Sequence, residues 1–438
     1  MTYFNRKIDK SLRQWCSEKR RKPLMLRGAR QVGKTSAIRN LGKNFKYFVE
    51  INFENKDHAV AKRVFAQHSE PQIICSELSM LFGKPVVAGK TLLFLDEVQN
   101  CTDAISSLRY FYERLPTLHV IAAGSLLEFA LEEIPSFGVG RIDSMFMYPF
   151  SFNEFLCAAG HESWVKLIEE ASPEKPVAES VHEKIVERLK DFLIIGGMPE
   201  VVAEFVETRD FLRCQKILNS LMMSFRNDFA KYKKRIPAAR INEVFSSVSQ
   251  QAEGKFVYER VSQNLNNEQV KKSLELLLMA GLCYQVTHSP ADGAPLGAGI
   301  NPKHRRVILF DTGIYQRILN LNLSDILLSN DFDAINKGAV AEIFVGCELK
   351  KNASCYSDDE LYCWVREKKN AQAQIDFVIQ RGETIVPLEV KSGKQGKMQS
   401  MWMFLKEKNA SYGIRTSLEN FCKYQNIYVY PLYAIGNI

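Results

Sequence analysis

A glycine-rich loop between an apolar strand and a helix constrains the fold more than any other feature of this sequence. Residues 23–41 read PLMLRGARQVGKTSAIRNL, where an apolar stretch runs into the pattern GxxxxGK[ST] and then into residues with helical spacing. Gly28 and Gly33 permit backbone conformations that turn successive N–H groups inward around an anion. The start of the following helix adds the positive end of its dipole. The sequence therefore predicts an α/β fold with a phosphate site after an early strand.

The residues of this loop have separate predicted roles in binding a nucleoside triphosphate. Lys34 reaches the β- and γ-phosphates, and the Thr35 hydroxyl binds Mg²⁺. The alternative is a glycine-rich turn before a helix, and the strand–loop–helix context argues against it. We therefore expect ATP and Mg²⁺ as cofactors. The predicted nucleotide-binding residues are Gly28, Ala29, Arg30, Gln31, Val32, Gly33, Lys34, Thr35 and Ser36.

A buried strand that ends in two acids is the expected partner of the loop. Residues 90–97 read KTLLFLDE, which is typical of a parallel strand buried on both faces. Ligands of α/β sheets bind at the carboxyl ends of the strands. Asp96 is therefore expected to hold Mg²⁺, and Glu97 to orient and deprotonate the water that attacks the γ-phosphate. A third strand pattern, LHVIAA, ends at Gly124 and Ser125; Ser125 either contacts the γ-phosphate or caps the next helix, and both roles are compatible.

A second acidic group lies in QIDFVIQRGETIVPLEVKSG, residues 374–393, which reads as a hairpin. Glycine at the first position of the turn Gly382-Glu383 suits type II′. Because side chains alternate along a strand, one face is expected to be uniformly apolar. The pairs predicted on that face are Ile379 with Val386, Phe377 with Leu388, and Ile375 with Val390.

The opposite face of this hairpin carries Asp376 directly across from Glu389, with Lys391 two residues further on. Two carboxylates that lie directly opposite each other on neighbouring strands repel unless a cation or a proton lies between them. One interpretation is a solvated sheet face on which Lys391 offsets the carboxylates. The other is a divalent-metal site in which Lys391 orients or activates a water. The spacing alone leaves both open.

Together these motifs resemble an AAA+ family of bacteria and archaea. The resemblance rests on GARQVGKT, LLFLDEVQ, GRIDSMFMYPFSFNEFL, GGMPEVV, ILFDTGIY, GAVAEIFVGCEL and the hairpin, and so covers essentially the whole chain. Members of that family resemble origin-recognition and STAND-type ATPases and carry a C-terminal domain of restriction-endonuclease-like fold. The resemblance implies that Glu342, Asp376 and Glu389 bind a metal ion and that Lys391 acts on the nucleophilic water. The same fold also occurs in inactive, purely binding forms.

The resemblance also assigns a role to Arg141. It implies that Arg141 contacts the γ-phosphate, either within its own chain or from a neighbouring subunit. A surface arginine paired with Asp143 or with a backbone carbonyl is the alternative. Assembly with identical chains is left open.

The middle of the chain is predicted to be helical and then to form a helix–helix–hairpin arrangement. Helical spacing over SVHEKIVERLKDFLIIGG and FLRCQKILNSLMMSFRNDFAKY favours a helical lid. Its basic run at 231–235 either contacts phosphates or is a solvated face.

The helix that follows reads as part of a winged helix-turn-helix. Asn266, three residues before Gln269, predicts a capping box at its start. Lys271 and Lys272 would then contact a DNA backbone. Glu268 near the same end is unfavourable beside an anionic groove, so a structural spacer is the alternative.

The predicted fold class is α/β, a P-loop AAA+ parallel-sheet domain with a helical lid, a winged helix-turn-helix and a C-terminal α/β restriction-endonuclease-like domain. The predicted boundaries of these four parts are, in order, 1–160, 161–237, 238–310 and 311–438.

Composition excludes several other classes of protein. The 438 residues are 46% hydrophobic and 25% charged, and no apolar run is long enough to span a bilayer. The charged start does not resemble a secretory signal, so the ten cysteines are expected to be reduced thiols of a cytoplasmic protein. The sequence contains neither a CxxC nor an HExxH pattern, so a zinc site is not expected. The 58 basic and 50 acidic residues permit nucleic-acid binding without arguing strongly for it.

The sequence therefore predicts an ATPase coupled to a nuclease-like domain that acts on DNA or another nucleic acid, with no membrane partner. The alternative function is a nucleotide-switched, STAND-type binding module. In that alternative the nuclease-like domain is inactive and only docks a protein partner.

Overall fold

The computed structural model describes residues 3–125, 127–133, 140–232, 236–321, 337–366, 373–391 and 398–438. The chain divides into two compact units. The first unit comprises residues 1–148 and 354–358, and the second comprises residues 149–353 and 359–438. The segments predicted as a lid, a winged helix and a nuclease-like domain therefore lie almost entirely in the second unit.

The helices of the described residues are α1 (Ile8–Ser17), α2 (Lys34–Gly42), α3 (Ala59–Gln67), α4 (Pro71–Phe82), α5 (Thr102–Arg114), α6 (Leu127–Glu133), α7 (Phe152–Ala158), α8 (Glu162–Glu170), α9 (Glu179–Ile195), α10 (Pro199–Thr208), α11 (Phe211–Asp228), α12 (Ala238–Gln250), α13 (Asn267–Met279), α14 (Thr312–Ile318), α15 (Lys337–Asn352) and α16 (Gln399–Glu407). The strands are β1 (Leu24–Arg27), β2 (Tyr47–Asn52), β3 (Thr91–Asp96), β4 (His119–Ala123), β5 (Asp143–Phe146), β6 (Cys283–His288), β7 (Asn301–Leu309), β8 (Leu361–Val365), β9 (Gln374–Arg381), β10 (Thr384–Val390), β11 (Gly413–Ser417), β12 (Cys422–Tyr424) and β13 (Ile427–Pro431). None of these helices is both long and apolar enough for a membrane crossing.

The first unit is built on a five-stranded sheet in the order β2-β3-β4-β1-β5, with every neighbouring pair parallel. Each residue of β3 is buried, as its continuous apolar run predicts. Side chains of β2, β3 and β4 pack with α3, α4 and α5 in one hydrophobic core. Because all five strands are parallel, their carboxyl ends meet at one edge of the sheet.

The second unit contains an eight-stranded mixed sheet in the order β12-β13-β11-β10-β9-β8-β6-β7. The antiparallel hairpin of β6 and β7 joins this sheet through parallel pairing of β6 with β8. The predicted boundary at residue 310 therefore does not separate two sheets, because backbone pairing continues across it. The capping box of Asn266 and Gln269 is present at the start of α13. Lys231 pairs with Asp228, and residues 233–235 of the predicted basic run lie outside the described residues.

The hairpin of β9 and β10 has the predicted turn and, next to it, the predicted pairing, with Val386 opposite Ile379 and Leu388 opposite Phe377. The register ends at that last pair, so the predicted pairs of Ile375 with Val390 and of Asp376 with Glu389 are not part of it. Gly382 has a φ of +60°, as a type II′ turn requires at its first position.

The expectation of one uniformly apolar face is wrong because of an irregularity in the pairing of β9 with β8. Tyr362 pairs with Val378 and Trp364 pairs with Ile375, so two residues of β9 lie opposite one of β8. Ile375 consequently packs with Val378 and with residues of α16. Phe377 lies instead against Gly346 of α15, where an added Cβ would be 3.1 Å from its ring.

Two of the resembling motifs, GGMPEVV and ILFDTGIY, pack against each other in the second unit. The buried Asp311 accepts hydrogen bonds from the Gly197 N–H at 2.6 Å and from the Ile314 N–H at 3.0 Å. A Cβ on Gly196 would lie 2.2 Å from the Asp311 carboxylate, and one on Gly313 would lie 2.4 Å from the Ile195 carbonyl oxygen. These glycines are therefore required by close approach of two segments, which is a role in folding.

Replacement of Asp311 by alanine is expected to destabilise the second unit by about 2–4 kcal/mol, because two buried N–H groups lose their acceptor. The control is Asp210→Ala, which removes an exposed helix cap that accepts from Leu212 and Arg213 and costs about 1 kcal/mol. Urea unfolding followed by tryptophan fluorescence measures both, since three of the four tryptophans lie in this unit. Equal losses in the two variants would contradict the packing role.

Candidate functional site

The predicted phosphate loop connects β1 to α2 in the first unit. Gly28, Gln31 and Gly33 all have positive φ values, of +139°, +64° and +100°. A Cβ on Gly28 would lie 2.1 Å from the Met147 carbonyl oxygen, so no side chain fits there. The loop thus has the glycine-dependent backbone that its pattern predicts.

Lys34 is buried inside this loop. Its Nζ donates to the carbonyl oxygens of Gly28 and Ala29, each at 2.8 Å. Burial lowers the pKa of Lys34 to about 8, while the carboxylates of Glu97 and Asp96 oppose that shift. The ammonium therefore lies within the concave face of the loop, where a phosphate would compete with the two carbonyl groups.

The structure brings Thr35 and Asp96 together. The Thr35 hydroxyl donates to Asp96 Oδ2 at 3.1 Å, and the Asn52 amide donates to the same oxygen at 3.3 Å. Burial, reinforced by the charge of Glu97, raises the pKa of Asp96 to about 6. Asn52 was not predicted; it ends β2 and pairs in register with Asp96, so only the strand order reveals it.

Glu97 is held by a neighbour that the sequence motifs do not identify. It has a φ of +50°, and the Gln99 amide donates to its Oε2 at 2.6 Å. A Cβ on Gly124 would lie 2.1 Å from Gln99 Oε1, so the glycine after β4 provides the space for Gln99. Ser125 is buried beside it. Its predicted contact with phosphate and its capping role remain predictions, because Leu126 lies outside the described residues.

Arg6 supports the phosphate loop from outside. Its guanidinium donates to the Val32 carbonyl oxygen at 3.1 Å and to the Tyr148 carbonyl oxygen at 2.8 Å. The Arg6 N–H donates to Asp9, which also accepts from the Tyr3 hydroxyl. No pattern in the sequence marks this contact, because Arg6 precedes the loop by a complete helix and strand.

Arg141 does not lie at the phosphate loop of its own chain. It precedes β5, whose first residue Asp143 pairs with Leu24 at the amino end of β1, whereas the loop follows the carboxyl end of β1. Arg141 forms an ion pair with Glu113, and Asp143 pairs with Lys22 at 3.3 Å. Glu113 is thus a surface partner of Arg141, while the predicted pairing with Asp143 or with a backbone carbonyl stays a prediction. A role from a neighbouring subunit remains a prediction.

A buried acidic cluster occupies the second unit at the hairpin of β9 and β10. Arg306 of β7 is 1% exposed and forms an ion pair with Glu342 of α15. Its guanidinium also donates to the Asp376 carbonyl oxygen, and the Asp376 carboxylate accepts from the Val390 N–H at 2.8 Å. Burial, followed by the charge of Asp376, raises the pKa of Glu342 to about 7, although Arg306 opposes the shift.

Glu389 and Lys391 complete this cluster. Lys391 Nζ lies 2.7 Å from Glu389 Oε1, and burial raises the pKa of Glu389. Glu389 Oε2 is buried and has no hydrogen-bond partner among the described residues. Within those residues, no three His, Cys, Asp or Glu side chains are grouped closely enough to hold a metal ion. The metal-binding roles of Glu342, Asp376 and Glu389 therefore stay predictions.

The two lysines predicted to meet nucleic acid pair with acids of their own helix. Lys272 lies 2.7 Å from Glu268, and Lys271 lies 3.8 Å from Glu275, all exposed on α13. These pairs reduce the positive charge that α13 presents to a phosphate backbone.

Three family models match successive parts of the chain. Residues 20–156 match the model of an AAA domain. Residues 186–325 and 337–435 match two domains of unknown function, DUF8612 and DUF4143. The AAA match and the parallel five-stranded sheet, typical of a P-loop ATPase core, support an ATP-binding ATPase domain in the first unit. The nuclease-like fold predicted for residues 311–438 is not confirmed by these matches.

Two solved structures are weakly similar to the chain. The Walker-type ATPase PABY2304 of Pyrococcus abyssi is 14% identical, with 73% of this chain and 96% of that chain covered and a TM-score of 0.46. The Aeropyrum pernix ORC1 protein in complex with DNA is 13% identical, with 74% and 95% covered and a TM-score of 0.30. No curated protein matches the chain in sequence.

Replacement of Gly124 by alanine is expected to lower kcat for ATP hydrolysis about 10- to 100-fold, because the added methyl displaces Gln99 and releases Glu97. Gly124 does not have a positive φ, so alanine adds no backbone strain. The Kd for ATP is expected to change less than about twofold, since the three atoms nearest to the added Cβ belong to Gln99 and Val98 and not to the phosphate loop.

Steady-state hydrolysis and equilibrium ATP binding measure the two quantities. Gly254→Ala serves as the control, because its added Cβ meets no atom within 4 Å. An unchanged kcat in Gly124→Ala would contradict the positioning of Glu97 by Gln99.

Proposed function

We propose that the first unit binds ATP with Mg²⁺ and hydrolyses it by attack of a water on the γ-phosphate. The observation that carries this proposal is the 3.1 Å hydrogen bond from the Thr35 hydroxyl to the Asp96 carboxylate. It joins the phosphate loop to the acidic end of β3, two motifs that lie 61 positions apart in the sequence. These are the two parts that a P-loop nucleotide site combines.

The residues around Asp96 fit a magnesium ion. A hydroxyl and a carboxylate present oxygen atoms, which are the ligands that Mg²⁺ prefers, and magnesium commonly binds through one or two protein groups together with substrate phosphates. Thr35 and Asp96 would hold such an ion, which would supply positive charge to offset that of the phosphates. Asp96 must be ionised for this role, and its pKa of about 6 leaves it largely ionised at neutral pH.

The remaining residues of the site act on the nucleotide and the water. Residues 28–36 surround the phosphates with backbone N–H groups, and Lys34 exchanges its two carbonyl contacts for phosphate oxygens. Glu97 orients the attacking water and accepts its proton, with its carboxylate positioned by Gln99. Ser125 contacts the γ-phosphate from the end of β4.

The affinity for ATP is expected to fall as the pH rises above about 8. The pKa of Lys34 is about 8 in the free protein and is raised by bound phosphates, so binding takes up a proton above that pH. Affinity therefore weakens by up to about tenfold per pH unit between pH 8 and 9.5. Calorimetric titration with Mg²⁺ and ATP from pH 7.5 upward measures this, since the phosphates are then fully ionised.

Two variants of Lys34 test the assignment. Lys34→Arg keeps its charge throughout this range, so its affinity is expected to be independent of pH. Lys34→Ala is expected to abolish ATP binding. Unchanged affinity in Lys34→Ala would show that Lys34 does not bind the phosphates. A flat pH profile in the wild-type protein would show that the pKa of Lys34 is not lowered to about 8.

A second candidate function is metal-dependent cleavage of a nucleic-acid phosphodiester by the second unit. The observation that favours it is Glu389 Oε2, a buried carboxylate oxygen without a described partner beside Lys391. Asp376 and Glu389 would offer oxygens to a divalent cation, which would supply positive charge to a substrate phosphate. Lys391 orients the attacking water. DNA or another nucleic acid is the proposed partner.

Replacement of Lys391 by alanine is expected to lower cleavage at least about 100-fold, because the attacking water loses its positioning group. The assay incubates the full chain with single- and double-stranded DNA and RNA, with Mg²⁺ or Mn²⁺, with and without ATP. Lys408→Ala is the matched control, since Lys408 also pairs with a carboxylate, that of Asp292 at 2.6 Å.

Absence of cleavage under every condition, or equal cleavage by Lys391→Ala, would remove this function. Slow ATP turnover with retention of ADP would then favour a nucleotide-switched module whose second unit docks a partner.

A further inference from the structure

The side chain of Arg306 reaches the acidic cluster from a distant strand. Arg306 lies in β7 at the edge of the sheet, and β6 and β8 separate β7 from β9. Its guanidinium nevertheless donates to the Asp376 carbonyl oxygen of β9 and pairs with Glu342 of α15. With only 1% of the residue exposed, this cation is enclosed between the sheet and α15.

Glu342 serves as the counter-ion of this buried cation. Its side chain is 15% exposed, and one carboxylate oxygen contacts Arg306. A buried guanidinium whose carboxylate is taken away is strongly destabilising, because its charge is then uncompensated. A metal ion that used Glu342 would therefore share with Arg306 a carboxylate whose charge this buried cation already balances.

The other two acids are differently placed. Asp376 Oδ2 accepts from the N–H of Val390, the residue directly after Glu389, and the charge of Asp376 contributes to the raised pKa of Glu389, so the two carboxylates lie near each other. Glu389 is 4% exposed, and its Oε2 has no partner in the part of the chain that the structure describes. Lys391 pairs with the other oxygen and the charge of Arg415 acts on the same carboxylate, so Oε2 is the atom of this carboxylate that is left without a hydrogen bond within the described ranges.

We infer that Arg306 is the built-in cation of this cluster, so that a divalent cation binds through Asp376 and Glu389 without Glu342. This inference rests on the second candidate function and changes the set of ligands that the resemblance implies. The guanidinium of Arg306 joins the Glu342 carboxylate to the backbone carbonyl of Asp376, and so supplies positive charge on that side of the cluster.

Binding of Mn²⁺ to the nucleotide-free chain tests this, measured by electron paramagnetic resonance in an Asp96→Asn background that removes the acid of the ATP site. Asp376→Asn and Glu389→Gln are expected to weaken binding at least about tenfold. Glu342→Gln is expected to change it less than about twofold, because glutamine still accepts from Arg306. A loss in Glu342→Gln equal to that in Asp376→Asn would overturn the inference.

The complementary variant is Arg306→Met, which frees Glu342 for the metal. It is expected to bind Mn²⁺ at least about tenfold more tightly than the parent, and adding Glu342→Gln is expected to remove that gain. Arg305→Met is the control, since Arg305 lies over Tyr258 instead of entering the cluster. If Arg306→Met does not fold, the comparison of Glu342→Gln with Asp376→Asn decides alone.

The outcomes separate this inference from the cleavage proposal. Mn²⁺ binding by Arg306→Met but not by the parent would overturn the site formed by Asp376 and Glu389 and, with it, the metal-dependent function. Binding by the parent that depends equally on all three acids would support that function and overturn the role of Arg306. Absence of binding in both proteins would overturn both.

Discussion

A single side-chain hydrogen bond, from Thr35 to Asp96, depends on the whole architecture of the first unit. The strand order places β4 between β1 and β3, so the start of α2 must extend past the end of β4 to reach Asp96. Only a parallel sheet, with its carboxyl ends aligned at one edge, brings these groups together. The small residue at the end of β4 leaves space there, which Gln99 occupies while it holds Glu97.

Both units contain ionisable groups that are buried away from water. The loss of hydration of each buried cation is compensated in a different way in the two units. In the first unit, Lys34 is bound by carbonyl oxygens, which are neutral and therefore replaceable by an anion. In the second unit, Arg306 is bound by a carboxylate, which makes the pair mutually dependent. The first arrangement suits a site that binds and releases a ligand, and the second suits a permanent part of the structure.

The sequence predicted those features that depend on local order along the chain. The phosphate loop, the acids after β3 and the turn and pairing of the last hairpin follow from patterns within about ten residues. Asn52 and Arg6 were missed because their contacts depend on strand order or on distant segments. Gln99 is only two residues from Glu97, but the space that it occupies depends on the distant Gly124. The predicted sheet face of Ile375 was wrong because the pairing of β9 with β8 contains an irregularity. The sequence of the hairpin alone does not reveal that pairing.

The short segment 354–358 has a consequence for how this protein can be divided. It belongs to the first unit although the chain on both sides belongs to the second, and its Cys355 carbonyl accepts from the Phe146 N–H of the edge strand β5. The same segment falls within the third family match. A fragment that ends at residue 148 would lack this segment. Its edge strand β5 would then be uncovered and able to pair with strands of other molecules. An exchange of the third matched region between proteins would therefore also replace five residues of the first unit.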